Sequence, residues 1–89
     1  MPSCTATIVN MRGLHARAAA KFAKLAGEFE AEINVAKDGQ SVSGRSIMGL
    51  MMLAAAPGTT IKISTSGTQE SEALAALEAL VKDRFEEED

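Results

Sequence analysis

The sequence predicts an α+β fold in which three helices cover one face of a four-stranded antiparallel sheet. Three observations support this fold class. Short segments alternate apolar and polar residues, which is typical of strands with one buried side. Other segments repeat apolar residues every three or four positions, as amphipathic helices do. Glycine and proline separate these segments in the order β-α-β-β-α-β-α, without a repeat or linker, so we expect a single domain over residues 1–89.

The first strand and the first helix are predicted on either side of a glycine turn. The segment CTATIVN alternates its side chains and predicts a strand, and the turn after it ends at Gly13. From Ala16 to Ala26, Phe22 and Leu25 fall on one face with lysines opposite, which indicates a helix. Gly27 ends that helix.

A hairpin and a short apolar helix follow. The segment EINVAKDGQSVSG predicts two antiparallel strands around Asp38 and Gly39, residue types that accept positive φ in a two-residue turn. Ser46 precedes the segment IMGLMMLAA, which we interpret as a short helix. Pro57 and Gly58 are expected to end it.

The C-terminal part of the chain predicts the last strand and the longest helix. Isoleucines alternate with polar residues in TTIKISTS, as in a half-buried strand. The hydroxyl of Thr68 is expected to cap the final helix, whose apolar side carries Leu74, Leu77, Leu80 and Val81. The acidic end EEED is expected to be a solvated, frayed terminus.

Size and composition exclude several classes of function. A chain of 89 residues buries only about 60–65% of its unfolded surface, so protein partners are favoured over small substrates in a deep cavity. Its apolar runs are shorter than the roughly 18–20 residues of a transmembrane helix, and its N-terminus lacks a signal-like segment. We therefore expect a soluble, cytoplasmic monomer without membrane insertion. A net charge of −3, no Trp or Tyr and three Phe argue against nucleic-acid binding.

The residues needed for several common reactions are missing. His15 and Cys4 are the only histidine and the only cysteine, so we expect no metal site and no disulfide within the chain, which fits a reducing compartment. The sequence lacks a glycine-rich nucleotide loop and a nucleophile elbow, so we expect neither a cofactor nor an enzymatic activity of its own. Any phosphoryl group must then arrive from another protein.

His15 is nevertheless the strongest candidate for chemistry. A lone histidine in a small domain is more often a surface or capping residue, but three neighbouring features and the start of a helix favour a phosphorylated histidine here. Gly13 permits a turn that exposes the ring, and alanines keep the surroundings small. Arg17 offers donors suited to phosphate oxygens, and a helix start presents backbone N–H groups to an anion.

The segments GLHARAA and GRSIMGLMML resemble the two signature segments of the HPr family, the histidine-containing phosphocarriers of the bacterial phosphoenolpyruvate-dependent phosphotransferase system. The resemblance covers essentially the whole chain and implies an open-faced β-sandwich. It implies that His15 receives a phosphoryl group on Nδ1 from enzyme I and passes it to a IIA protein or domain, assisted by Arg17. Ser46 matches the regulatory serine modified by HPr kinase/phosphorylase. The resemblance also implies a partner-docking surface of Ala16, Ala20, Ile47 and Met48.

Two positions depart from the family pattern. Ala18 stands where the family often has proline, a change that typically costs about 0.4–1 kcal/mol through the unfolded state. Gly49 stands where some relatives carry lysine, which affects partner docking. A nitrogen-related branch of the same system uses nearly identical chemistry, so the alternative is a regulatory binding module of that branch. A further alternative is a small ligand-binding domain in which His15 is incidental.

Two surface questions remain open in the sequence. Ile47, Leu50, Met51 and Leu53 lie at helical spacing, which favours core positions for most of them, whereas Met48 is expected on the opposite, exposed side. The lysines of the first helix are expected either to be solvated or to steer acidic partners.

Overall fold

The computed structural model describes residues 2–86 and confirms the predicted α+β fold class and element order. The strands are β1 (Ser3–Thr7), β2 (Glu32–Lys37), β3 (Gln40–Ser43) and β4 (Thr60–Ser66), and the α-helices are α1 (Ala16–Ala26), α2 (Ile47–Met52) and α3 (Glu70–Lys82). A single 3₁₀ turn, Arg84–Glu86, follows α3. The strands form one sheet in the order β1-β4-β2-β3, and every neighbouring pair is antiparallel.

The sheet has one apolar face and one hydroxyl-rich face because its side chains alternate. Ile33 and Val35 of β2 are buried, as are Ile61 and Ile63 of β4. The intervening positions of the same strands, such as Lys62, are exposed or half-buried and mostly polar. The three helices therefore cover one face only, and the other face meets solvent.

The core lies between the sheet and the helices. α3 packs against β1 and β4, and α1 packs against both α2 and α3. The largest fully buried apolar side chains are Phe22, Phe85, Ile8, Leu50, Ile61, Ile63, Leu77, Val35 and Val81. Leu74 and Leu80 of α3, expected on its apolar side, are only partly buried, but they pack against this cluster.

The predicted hairpin turn is confirmed. Asp38 and Gly39 both have positive φ, 51° and 82°, which is the two-residue turn whose twist matches that of the flanking strands. The first strand is shorter than CTATIVN suggests, because ladder pairing in β1 ends at Thr7. Ile8 still donates to the carbonyl of Thr59 at 2.8 Å, so the chain continues beside β4 for another residue.

Two predicted helix boundaries are wrong. α2 ends at Met52, well before Pro57, because Ala54 adopts a left-handed conformation with φ 52° and the helix cannot continue through it. Thr68 does not cap α3. The N-cap position is Gln69, whose Oε1 instead accepts from the backbone N–H of Glu30 at 2.8 Å.

The C-terminal turn contributes a core residue that periodicity did not identify. Arg84, Phe85 and Glu86 all have positive φ, which bends the chain back so that the Phe85 ring is fully buried. Lys21 Nζ donates to the Phe85 carbonyl at 2.9 Å and lies 3.6 Å from Glu86 Oε1. Lys21 is thus a structural contact of this turn. Of the segment EEED, only Glu86 is within the described residues, and the prediction for residues 87–89 lies outside them.

Candidate functional site

His15 occupies the N-cap position of α1, as the sequence predicts. Its backbone is extended, with φ −83° and ψ −177°, and its carbonyl accepts the first helical hydrogen bond from Ala19 N at 2.8 Å. The half-buried His15 side chain makes no capping hydrogen bond to the helix. The N–H groups of the first turn, which have no partner within a helix, therefore point toward the end where the imidazole lies.

The backbone before His15 is held by the loop that follows α2. Gly13 has φ 65°, and a Cβ at this position would overlap the carbonyl oxygen of Ala55. Leu14 donates to that same oxygen at 2.9 Å, and its side chain is buried. The buried Asn10 donates from Nδ2 to the Gly13 carbonyl at 2.8 Å. Sequence reasoning identified Gly13 but missed Asn10 and Ala55.

The side chains after the histidine divide between the core and the surface. Ala18 and Ala19 are fully buried, so they belong to the core and do not line the site. Ala16 is exposed and Ala20 is half-buried, which leaves small side chains on the outer side of the first turns. Arg17 is exposed. Two of the four alanines therefore keep the site open, and the other two let α1 approach its neighbours.

The electrostatics at this end of α1 favour an anion. The first turn of α1 contains no acidic residue, and the N-terminus of a helix carries a partial positive charge. The guanidinium of Arg17 adds a full positive charge and paired N–H donors on the same turn. A phosphoryl group on the His15 ring therefore meets positive potential without a nearby acidic residue in the helix.

Ser46 is the N-cap residue of α2, as predicted. Its Oγ accepts from Gly49 N at 3.0 Å, and its carbonyl accepts from Leu50 N at 3.0 Å. A Cβ at position 49 would lie 3.1 Å from Ser46 Oγ and 3.1 Å from Val42 Cβ. A side chain at this position would therefore require the capping serine or β3 to shift by a few tenths of an ångström.

The outer side of α2 is apolar, and it is larger than the sequence indicated. Leu50 and Leu53 are buried, as expected, and Met48 is exposed, as expected. The expectation of core positions for Ile47 and Met51 is wrong, because a six-residue helix buries only one side and both project from the other. We call the exposed set the α2 ridge: Ile47, Met48, Met51 and Met52.

The α2 ridge and His15 lie on neighbouring elements. α1 and α2 pack against each other, and the hydrogen bond from Leu14 to Ala55 joins the chain before His15 to the chain after α2. The loop before Gly13 adds the exposed Met11. The structure thus brings the predicted histidine and the predicted docking helix onto adjacent parts of the fold.

Residues 2–86 give little evidence for a metal site, a membrane-spanning helix or a nucleophilic cysteine. This part of the chain contains no group of three or more His, Cys, Asp or Glu side chains placed to hold a metal ion. Among its helices, none is long and apolar enough to span a bilayer. Burial raises the pKa of the Cys4 thiol, with a smaller contribution from the nearby Glu78 carboxylate, which reduces the thiolate needed for nucleophilic chemistry.

Comparisons with known proteins agree with this geometry. A family model described as the phosphorylation site of the HPr component of the phosphotransferase system (PTS) matches residues 2–83. The phosphocarrier protein HPr of Pseudomonas aeruginosa is 50% identical over 88 residues, which cover 98% of each chain. The phosphocarrier protein NPr of Shewanella violacea is 46% identical over 81 residues, 91% of this chain and 89% of the relative. The crystal structure of HPr from Thermoanaerobacter tengcongensis matches with a TM-score of 0.95, 43% identity and complete coverage of both chains.

Three findings lead to one assignment. They are the whole-chain similarity to these relatives, the matching family model, and the histidine at the start of α1. The fold is the open-faced β-sandwich that the resemblance implies, with its hydroxyl-rich sheet face left uncovered. The chain belongs to the HPr family of bacterial phosphocarrier proteins.

Proposed function

We propose that the chain accepts a phosphoryl group on His15 from phosphorylated enzyme I and donates it to a IIA protein or domain. The observation that carries this proposal is the position of His15 at the N-cap of α1, with an acid-free first turn behind it. Enzyme I and the IIA acceptor follow from membership of the family. As a carrier, the chain is phosphorylated and dephosphorylated in each cycle and needs no cofactor.

The transfer requires one bond to form and one to break. The lone pair of His15 Nδ1 attacks the phosphorus of the donor, and the bond between phosphorus and the donor atom breaks. The oxygens of the phosphoryl group then face the first-turn N–H groups of α1 and the exposed Arg17. Such helix-end contacts contribute about 0.3–2 kcal/mol, which holds the group without trapping it. Donation to the acceptor reverses these steps.

The proposed docking surface consists of Ala16, Ala20, Ile47 and Met48. Ala16, Ile47 and Met48 are exposed and Ala20 is half-buried, so small side chains on α1 lie beside apolar ones on α2. An exposed apolar strip next to a reactive group is a typical protein-recognition surface. We propose that the chain acts there as a cytoplasmic monomer that contacts one partner at a time.

Regulation through Ser46 is a second part of the proposal. Phosphorylation by an HPr kinase/phosphorylase would place about −1.5 to −2 charges at the α2 N-terminus, directly before Ile47 and Met48. The Ser46 side chain is half-buried and caps the helix, so the new charge would lie within the docking surface. The expected consequence is weaker docking and an unchanged fold.

The alternative is a regulatory binding module of a nitrogen-related branch that acts mainly through protein contacts. The observation that favours it is the 46% identity to the NPr of Shewanella violacea over nearly the whole chain. Both functions use the same surface, but a binding module does not need to carry phosphate, so the choice between them depends on whether the chain takes up a phosphoryl group and on which acceptor then receives it.

A phosphoryl relay tests the proposal. The chain is incubated with enzyme I and phosphoenolpyruvate, separated from them, and then mixed with a sugar-branch or a nitrogen-branch IIA domain while the masses of both proteins are followed. The carrier proposal expects a gain of one phosphoryl group that is lost in mild acid and that reappears on an acceptor. No gain in an assay that phosphorylates a known HPr would refute it. An acid-stable gain would indicate a modified serine instead.

A further inference from the structure

The methionines in residues 2–86 are exposed to solvent, which is unusual for apolar residues. Met11 is 72% exposed, Met48 75%, Met51 43% and Met52 74%, and these are all the methionines in residues 2–86. A methionine in a small domain ordinarily fills the core. Because all four are exposed instead, reagents in solution can reach these residues without unfolding of the chain.

Three of the four methionines form a single stripe on α2. Met51 and Met52 follow Met48 by three and four residues, which places neighbouring side chains on one side of a helix. The opposite side of α2 holds Leu50 and Leu53 in the core. The stripe belongs to the α2 ridge, which contains two residues of the proposed docking surface.

A thioether has a well-defined reaction with a peroxide. The sulfur lone pair attacks one peroxide oxygen and forms an S–O bond while the O–O bond breaks. The leaving hydroxide then takes the proton of the new S–OH group to become water. The sulfur is oxidised to a sulfoxide and the peroxide is reduced, so atoms and electrons balance. The product replaces an apolar, flexible side chain with a polar, chiral one, and methionine sulfoxide reductases reverse the change.

We infer that Met48, Met51 and Met52 are a reversible oxidation site, and that their conversion to sulfoxides by hydrogen peroxide slows phosphoryl transfer between this chain and its protein partners. The inference rests on the proposed function, since it needs a partner that docks on the α2 ridge. A sulfoxide there puts a strong hydrogen-bond acceptor where apolar contact is needed, and burying it without a donor is costly.

Oxidation at this site acts on docking and leaves the fold and the His15 chemistry unchanged. The α2 ridge lies outside the core, and the Ser46 cap and the buried leucines keep α2 in place. Cys4 also carries a sulfur, but it is half-buried and burial raises its pKa, which disfavours the reactive thiolate.

The test uses the full chain with Cys4→Ala, so that only methionines are oxidised. Samples are treated with hydrogen peroxide, the oxidised residues are identified by peptide mass mapping, and two initial rates are measured. One is phosphorylation by enzyme I and phosphoenolpyruvate, and the other is phosphorylation by phosphoramidate, a small donor that needs no docking surface. We expect a severalfold loss of the first rate, no change in the second, and recovery after treatment with methionine sulfoxide reductases.

Two variants locate the effect, each compared with its own untreated rate. The triple variant Met48→Leu, Met51→Leu, Met52→Leu keeps an apolar ridge without sulfur and is expected to be insensitive to peroxide. Met11→Leu removes an equally exposed methionine outside α2 and is expected to remain sensitive. Protection by Met11→Leu alone, or an unchanged enzyme I rate after oxidation of all three α2 methionines, would overturn the inference. Failure of the untreated chain to accept phosphate from enzyme I would instead refute the proposed function, and the inference with it.

Discussion

His15 owes its position to residues that carry no chemistry themselves. Asn10, Gly13 and Leu14 fix the turn before it, and the carbonyl of Ala55 holds that turn against the end of the α2 segment. Sequence reasoning found the histidine and the glycine because both residue types have a local meaning. Asn10 and Ala55 act through a contact between segments far apart in the chain, and no local pattern predicts such a contact.

Arg17 is predicted to assist transfer through its charge and its paired donors. Arg17→Ala should slow phosphorylation by enzyme I and donation to the IIA acceptor, because the phosphoryl oxygens lose a charged partner. The side chain is exposed, so the melting temperature should not change. Arg17→Lys serves as a control that keeps the charge without the planar fork, and it should give intermediate rates. Rates for Arg17→Ala equal to those of the unsubstituted chain in both directions would remove Arg17 from the site.

Gly13 is predicted to be necessary for the stability of the fold, for two reasons that can be tested separately. Its φ of 65° disfavours a side chain by about 1–2 kcal/mol, and a Cβ would also overlap the Ala55 carbonyl oxygen. Gly58 is a matched control, since its φ is 87° but a Cβ there meets nothing within 4 Å. Urea unfolding of both alanine variants should show a larger loss of stability for Gly13→Ala than for Gly58→Ala. Equal losses would show that the turn can move away from Ala55.

Among the elements, α2 allows helix stability and partner docking to be tested separately, because a negative charge at position 46 should affect the two in opposite directions. Ser46→Asp should leave the melting temperature equal or higher, because aspartate also caps helices and its charge is favourable by about 0.3–1 kcal/mol at a helix N-terminus. The same charge beside Ile47 and Met48 should slow phosphorylation by enzyme I. Ser46→Ala is the control: it removes the hydrogen bond to Gly49 N and should cost about 0.5–2 kcal/mol. Normal transfer to Ser46→Asp with unchanged affinity would show that Ser46 is only a cap.

The elements themselves were largely predictable, but their ends were less so. The α1 bounds and the Asp38–Gly39 turn follow from helical spacing and positive-φ residue types, and both are confirmed. The structure ends α2 earlier than the sequence predicts because Ala54 has a left-handed conformation, and alanine gives no local sign of it. Similarly, the hydroxyl of Thr68 predicts a helix cap, whereas in the structure Gln69 is the N-cap residue and hydrogen bonds with Glu30.

At the scale of the whole molecule, the C-terminal turn closes the fold onto α1. Phe85 is fully buried, and Lys21 holds its carbonyl at 2.9 Å, so the last described turn is part of the core. Phe85→Ala should lower the free energy of unfolding by about 3–5 kcal/mol, as measured by urea titration. Lys21→Met keeps most of the aliphatic stem and removes the donor to Phe85 and the exposed ion pair with Glu86, so its loss should be smaller. A loss below about 1 kcal/mol for Phe85→Ala would show that the turn contributes little to stability.

The architecture of the whole chain was predictable because each helix and strand has one apolar side, and a layer of helices on one face of the sheet buries these sides economically. The covered and the open face of the sheet follow directly from that alternation. The docking surface was harder to predict from the sequence. Ile47 and Met51 are apolar at helical spacing, and only the short length of α2 and its packing decide that they face solvent.

His15 alone is expected to receive the phosphoryl group, and the mass of the chain after incubation with enzyme I and phosphoenolpyruvate tests this directly. The unsubstituted chain should gain one phosphoryl group that is stable in alkali and lost in mild acid. His15→Ala should gain none, while its circular dichroism and unfolding curve remain those of a folded domain, because the N-cap side chain is not part of the core. An acid-labile gain of the same size in His15→Ala would contradict the account.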